Sequence, residues 1–386
     1  MIEAQVLSVA VSHGFAGYEN RERRICRKVC EAKVHLGSSD KIRPTVANAE
    51  SYLNYDKRSF EFVLSDFDSR CLSAFFVALN QIIIQKETWI MSKQTIFTGA
   101  ATALITPLNE NGIDYENFGR LIDWQIEQGI DALVICGTTG EASTLSDAEH
   151  REAIRFAAER IAGRVPMIAG TGGNDTSYAI ELTKYACSVG ADACLVVTPY
   201  YNKATQNGLV KMFTAIADAS AKPLILYNIP GRTGVNIGVE TFKKLMTHPN
   251  IAAVKEASGN LSQCISEIHE CGEYLDFYSG NDDQTLPILS IGGKGVISVL
   301  SNVLPKETSE MVHKFLDGDL ETAMKMQVGY LPLINALFSE VNPIPAKAAM
   351  AKLGFGENYL RMPLTPMEDA HAEVLYEEMR KAGLSF

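Results

Sequence analysis

Residues 224–260 read LILYNIPGRTGVNIGVETFKKLMTHPNIAAVKEASGN. Two short β-rich apolar runs, Leu224–Ile229 and Ile251–Ala257, flank a connection long enough for a helix. The same unit recurs on either side. Before it come Ala101–Thr106, Ala132–Gly137, Pro166–Thr171 and Ala193–Pro199, and after it Leu275–Gly280 and Gly295–Ser301. Amphipathic stretches such as Tyr115–Gly129 and Asp147–Ala162 separate the runs; in the second, Asp147 is the candidate N-cap and Gly163 the stop. Eight strand–helix repeats after Met91 predict a (β/α)8 TIM barrel, an α/β fold that takes ~250 residues. Residues after Pro305 read as helical, with breaks at Gly354 and Gly356. The expected organisation is a catalytic barrel over 91–305 and a C-terminal helical extension over 306–386. A doubly wound open sheet is the alternative, opposed by the lack of Gly-x-Gly-x-x-Gly after the first strand.

The chain has 386 residues and a net charge of −11, with 46% hydrophobic and 21% charged residues. That composition supports a large core, and its acidity disfavours nucleic acid and anionic membrane surfaces as partners. Leu72–Ile84 is too short to span a membrane, and Glu3 stands where a secretory signal needs a basic region. The eight cysteines form no Cys-x-x-Cys pair, which predicts reduced thiols and a cytoplasmic location. His-Glu-x-x-His is absent, and Asp66-x-Asp68 and Asp282-Asp283 lack companions in a ligand array, so no metal is expected. Residues 1–90 carry 12 Lys+Arg and 11 Asp+Glu, a balance of +1 against −12 for the remainder, and show no strand–helix alternation. They are expected to be an N-terminal extension outside the working enzyme, with a native start at Met91. Lys86-Glu87 can be encoded as a bacterial ribosome-binding sequence, spaced from Met91 by Thr88-Trp89-Ile90. The rival reading is a genuine domain whose apolar stretch packs as a helix.

Barrel chemistry sits at the carboxyl ends of the strands. Lys255 follows four apolar residues in one run, and Glu256 should point the opposite way. An inward lysine in an apolar barrel loses proton affinity, and the neutral amine can form a Schiff base with a ketone. A lysine reaching solvent at a strand end is the plainer alternative. Tyr201 and Tyr227 end neighbouring runs, either as packed aromatics or as acid–base groups. Thr138 and Thr139, between Gly137 and Gly140, make a turn whose N–H groups can face a carboxylate, or a plain strand-to-helix turn. Gly292-Gly293-Lys294-Gly295 lacks the spacing of a P-loop and precedes its strand, so it reads as structural.

Gly137–Glu141, Tyr200-Tyr201-Asn202, Tyr227–Gly234 and Lys255–Asn260, in this order, resemble the dihydrodipicolinate synthase / N-acetylneuraminate lyase family from about Phe97 to the C-terminus. The resemblance implies a barrel with a C-terminal helical extension and a pyruvate Schiff base on Lys255. It implies Tyr227 as general acid/base, Thr138 bridging it to Tyr201, and Thr139 with Thr138 on the pyruvate carboxylate. Gly280 and Ile297 match positions lining the pyruvate pocket. Arg232 matches the position that holds a carboxylate in the synthase branch, favouring condensation of pyruvate with aspartate semialdehyde; a guanidinium forks onto a carboxylate. The alternatives are an aldolase acting on a 2-keto-3-deoxy sugar acid, or a catalytically silent barrel. No cofactor is implied, because the lysine is the electron sink. The Tyr201 position serves a neighbouring subunit in the family, implying a homo-oligomer, a tetramer built as a dimer of dimers. His150, Asn174 and Tyr200 match an allosteric lysine site, but Asp147 and Tyr178 replace its usual histidine and glutamate, so lysine inhibition is expected to be weak or absent.

Overall fold

Within each short run, alternate side chains go to different layers, as a pleated strand requires. Along Ala132–Ile135, Ala132 and Val134 join one buried cluster and Leu133 and Ile135 another. The computed structural model of the protein describes residues 95–386. Expectations about residues 1–90 and the start at Met91 lie outside the described residues.

Eight strands form the barrel: β1 (Gly99–Ala103), β2 (Ala132–Ile135), β3 (Met167–Gly170), β4 (Ala193–Val197), β5 (Leu224–Asn228), β6 (Ile251–Glu256), β7 (Asp276–Ser279) and β8 (Gly295–Ser298). Each pairs in parallel with its sequence neighbour, and β8 pairs with β1. An open doubly wound sheet would leave those two strands as edges; here Gly99–Thr102 run beside Gly295–Ser298. The register sets Tyr227 beside Lys255 and Asn228 beside Glu256. Ala101, Ala132, Ala193 and Ala253 help fill the interior, with Phe97 stacked on Tyr278 at 4.2 Å between ring centroids. The lumen is therefore a packed core rather than a pore.

Outside lie α1 (Tyr115–Glu127), α2 (Asp147–Ile161), α3 (Thr176–Ser188), α4 (Gln206–Ala219), α5 (Val239–Leu245), α6 (Leu261–Cys271), α7 (Thr285–Ser290) and α8 (Pro305–Leu316). A single helical turn, Pro230–Thr233, follows β5. Beyond the barrel come α9 (Leu320–Gly329), α10 (Leu331–Leu337), α11 (Ile344–Lys352) and α12 (Asp369–Lys381). Gly354 and Gly356, both at positive φ, interrupt the helical region after α11.

The N-cap of α2 is Ser146, not Asp147. Its hydroxyl accepts the Glu149 N–H at 3.3 Å, and Glu149 reaches back to the Ser146 N–H at 2.9 Å, satisfying two helix-end donors at once. Gly292, Gly293 and Lys294 sit ahead of β8 and Gly295 opens it, where a Cβ would lie 1.9 Å from the Gly99 carbonyl oxygen. That close backbone approach is a packing reason for the glycine. The five cysteines among the described residues are free thiols. Among these residues no helix is long and apolar enough to cross a membrane, and no cluster of three His, Cys, Asp or Glu could hold a metal ion.

Candidate active site

Lys255 is the fifth residue of β6, and pleat alternation sends its side chain into the lumen, where it is 5% exposed. Its Nζ stands 4.3 Å from the centre of the Tyr227 ring. Loss of hydration lowers the amine's pKa to about 8; buried Asp282 partly opposes this, and Arg232 adds to it. Near pH 8 the free-amine fraction therefore rises on the order of a hundredfold over an ordinary lysine. Burial pushes the Tyr227 phenol up to about 12, opposed by Arg232 and by its hydrogen bond with Thr138. The phenol keeps its proton at neutral pH, and so can donate it.

Several of the other residues singled out in the sequence lie near this pair. Thr138 is exposed in the turn after β2, whereas Thr139 is buried. The Thr139 hydroxyl accepts from Asn342 Nδ2 at 3.0 Å, and the Asn342 carbonyl accepts from Arg232 Nη2 at 3.1 Å. One asparagine thus links the two groups predicted to hold carboxylates. Gly280 follows β7, where a Cβ would lie 3.0 Å from Lys255 Cε and 2.7 Å from Ala257 Cβ. A side chain there would press on the amine's stem. Ile297 lies in the inner core, beside Ala101 of β1.

Tyr201 is not packed into the barrel core. It is 91% exposed, with φ of 70°. Tyr200 and Asn174 do meet, Asn174 Nδ2 donating to the Tyr200 carbonyl at 3.3 Å. His150 is buried, one ring nitrogen hydrogen-bonded to the Gly170 carbonyl at 2.9 Å, and burial lowers its basicity. Asp147 is already engaged: Arg151 Nε reaches it at 2.9 Å and the Tyr178 hydroxyl hydrogen-bonds it.

Sequence reading missed Asn342, Lys347 and the role of Glu141. Asn342 precedes Pro343 between α10 and α11, a loop position in a stretch read only as helical. Its Oδ1 is buried without a donor. Lys347 interrupts an otherwise apolar run on α11 and is buried. Its ammonium donates to the Thr106 carbonyl at 2.7 Å and pairs with Glu141 Oε1 at 2.9 Å. Glu141 has a left-handed φ of 54°, and its Oε2 accepts from the Arg361 N–H at 3.2 Å. The C-terminal helices thus hold the threonine turn in place. Together the site presents a buried amine of lowered basicity, a phenol, two threonine hydroxyls and a guanidinium. This set can form an imine with a 2-keto acid and move a proton beside it.

The sequence profile of the Dihydrodipicolinate synthetase family matches residues 96–382. A protein of Lachnoclostridium phytofermentans named 4-hydroxy-tetrahydrodipicolinate synthase is 56% identical over 291 residues, 75% of this chain and 99% of its own. The crystal structure of dihydrodipicolinate synthase from Aquifex aeolicus is 45% identical and superposes with a TM-score of 0.73 over 75% of this chain and 99% of its own. The chloride-inhibited dihydrodipicolinate synthase from Acinetobacter baumannii, complexed with pyruvate, is 42% identical with a TM-score of 0.73, covering 75% and 99% of the two chains.

Lys347→Met should leave Glu141 buried without its cation and the Thr106 carbonyl without its donor. The expected loss is about 3–5 kcal/mol in urea unfolding. The double variant with Glu141→Gln should recover part of it. A loss under about 1 kcal/mol would mean that the pair does not anchor the turn.

Proposed function

This chain belongs to the dihydrodipicolinate synthetase family, and on that premise we propose that it condenses pyruvate with L-aspartate 4-semialdehyde to give 4-hydroxy-tetrahydrodipicolinate. The observation that carries the reading is the buried Lys255 amine over the Tyr227 ring, in a chain 56% identical to a protein named for that synthase. Pyruvate is supported as first substrate by the complex of the Acinetobacter baumannii relative.

Thr138 and Thr139 receive the pyruvate carboxylate. The neutral Lys255 amine adds to the keto carbon, and Tyr227 gives a proton to the oxygen that leaves as water. The resulting imine withdraws electrons, so the Tyr227 phenolate left by that step takes a methyl proton and an enamine forms. Its carbon attacks the aldehyde of the second substrate, whose carboxylate lies on Arg232. The substrate's own amine then adds to the imine carbon and displaces Lys255, closing the ring and freeing the lysine. Gly280 and Ile297 shape the pyruvate pocket. The high exposure of Tyr201 suits a residue given to a neighbouring subunit, where it extends the Thr138–Tyr227 proton path. The working form on this reading is a homo-oligomer, a dimer of dimers.

Borohydride added with pyruvate should inactivate the protein and leave a pyruvate-derived mass on the peptide bearing Lys255. Label on another lysine, or none, overturns the mechanism. A coupled assay should show consumption of both substrates; cleavage of a 2-keto-3-deoxy sugar acid instead would assign the lyase branch. Arg232→Ala should lower kcat/KM for aspartate semialdehyde on the order of 100-fold. Imine formation should survive, with its pH optimum moved upward because Arg232 depresses the Lys255 pKa. Equal damage to both half-reactions would make Arg232 structural. With Asp147 committed to Arg151 and Tyr178, lysine's ammonium lacks a free carboxylate, so lysine should inhibit weakly or not at all. Strong inhibition at roughly submillimolar lysine, in the binding range of about 4–8 kcal/mol, would refute this.

A further inference from the structure

The residues that follow Tyr227 and Lys255 on their strands, Asn228 and Glu256, are register partners facing away from the lumen. Glu256 is 2% exposed. One of its oxygens accepts from Asn228 Nδ2 at 2.9 Å, and the other from the Ser258 backbone N–H at 2.6 Å. A second carboxyl, Glu267 of α6, lies within hydrogen-bonding reach of Glu256 and is fully buried. Its Oε1 accepts from Gln263 Nε2 at 2.6 Å, and its Oε2 is buried without a donor.

The other links run back to the start. Gln263 Oε1 accepts from Asn236 Nδ2 at 2.8 Å, and Asn236 Oδ1 accepts from Asn228 Nδ2 at 2.9 Å. Five side chains therefore form a ring, Asn228–Glu256–Glu267–Gln263–Asn236. Every link but one has an amide donor. The carboxyl–carboxyl link can be a hydrogen bond only if one acid keeps its proton. Glu256 already accepts two N–H donors, whereas Glu267 accepts one, so the proton belongs to Glu267.

Among the described residues, no neighbouring side chain donates to Glu267 Oε2. On α6, Cys264 and Cys271 are thiols pushed up to about 12, chiefly by burial. On α5, Lys243 is committed to Glu240 at 3.2 Å and Glu270 at 2.9 Å. The residues of α7, TLPILS, carry no ionisable side chain. Burial first, then the charge of Glu256, raises the Glu267 pKa well above the carboxylate range.

We propose that Glu267 is a positioning residue for the reaction: as a neutral acid it donates its proton to Glu256 and closes a ring that braces, from behind, the strand ends carrying Tyr227 and Lys255. The proposal rests on the reaction proposed above. Its pH dependence follows from linkage. Folded Glu267 holds a proton that the unfolded chain releases, so this contribution to stability is full below the ordinary carboxylate range. It is lost as pH rises through the raised folded value.

The test compares wild type with Glu267→Gln and Glu267→Leu. The infrared spectrum of the wild type at neutral pH should contain the carbonyl stretch of a buried protonated carboxyl, absent from Glu267→Gln. The glutamine's NH2 can replace the donated proton, so this variant should keep most of the activity, and its Tm should fall less steeply with alkaline pH. Glu267→Leu opens the ring, removing the proton donated to Glu256 and the carboxyl that accepts from Gln263, and should lower kcat about tenfold. Absence of the infrared band, or a Glu267→Leu enzyme with wild-type kcat and pH profile, overturns the proposal. If the leucine variant does not fold, the spectra and Tm profiles of wild type and Glu267→Gln still decide. A wild type inactive on both substrates would fault the proposed reaction instead, while the infrared band still reports on Glu267.

Discussion

Lys255 and Glu256 are consecutive on a strand buried along its whole length, and neither can carry an unsupported charge away from water. The pleat separates their problems by sending one into the lumen and the other beneath α6. Inside, few polar partners are available, so the amine tends toward its neutral form, which is the nucleophilic one. Outside, amide donors from Asn228 and Ser258 surround the carboxylate. The chemistry of the site and the bracing behind it are therefore two consequences of one alternation. The register Tyr227 beside Lys255, and Asn228 beside Glu256, carries both across to the next strand.

The C-terminal helices do more than cover the barrel. Asn342 touches the Thr139 hydroxyl and the Arg232 guanidinium, and Lys347 neutralises Glu141 at the end of the threonine turn. Glu141 occupies a left-handed conformation that costs a residue with a Cβ about 1–2 kcal/mol, and its contacts with Lys347 and Arg361 hold it there. A buried ion pair adds little net stability, but breaking it is costly. Its consequence here is a turn held through Glu141 from both sides, as the proposed meeting of its hydroxyls with a small carboxylate would need.

Short apolar runs, each the length of a strand and separated by amphipathic stretches, were enough to reach the barrel, because pleat and helix periods are local properties. A lysine after four apolar residues was legible as a candidate for the same reason: alternation within one strand allows it to point inward, with a strand end reaching solvent as the alternative. Local readings were weaker where neighbouring residues compete. Asp147 reads as a helix cap, yet Ser146 takes that place because its hydroxyl and Glu149 satisfy each other's backbone partners.

By itself, the order of residues determined the eight barrel strands and their order, and offered an inward Lys255 beside the alternative of a lysine reaching solvent. Only the tertiary structure decided that Asn342 meets Thr139 across 203 positions of sequence, that Lys347 meets Thr106 across 241, and that Tyr201 is left almost fully exposed. It also decided that Glu267, one polar residue among several on an amphipathic helix, comes against Glu256. Periodicity reports which face of an element is buried. Which side chains then share that buried space depends on closing the sheet from β1 to β8, a constraint on the whole chain that no window of sequence contains.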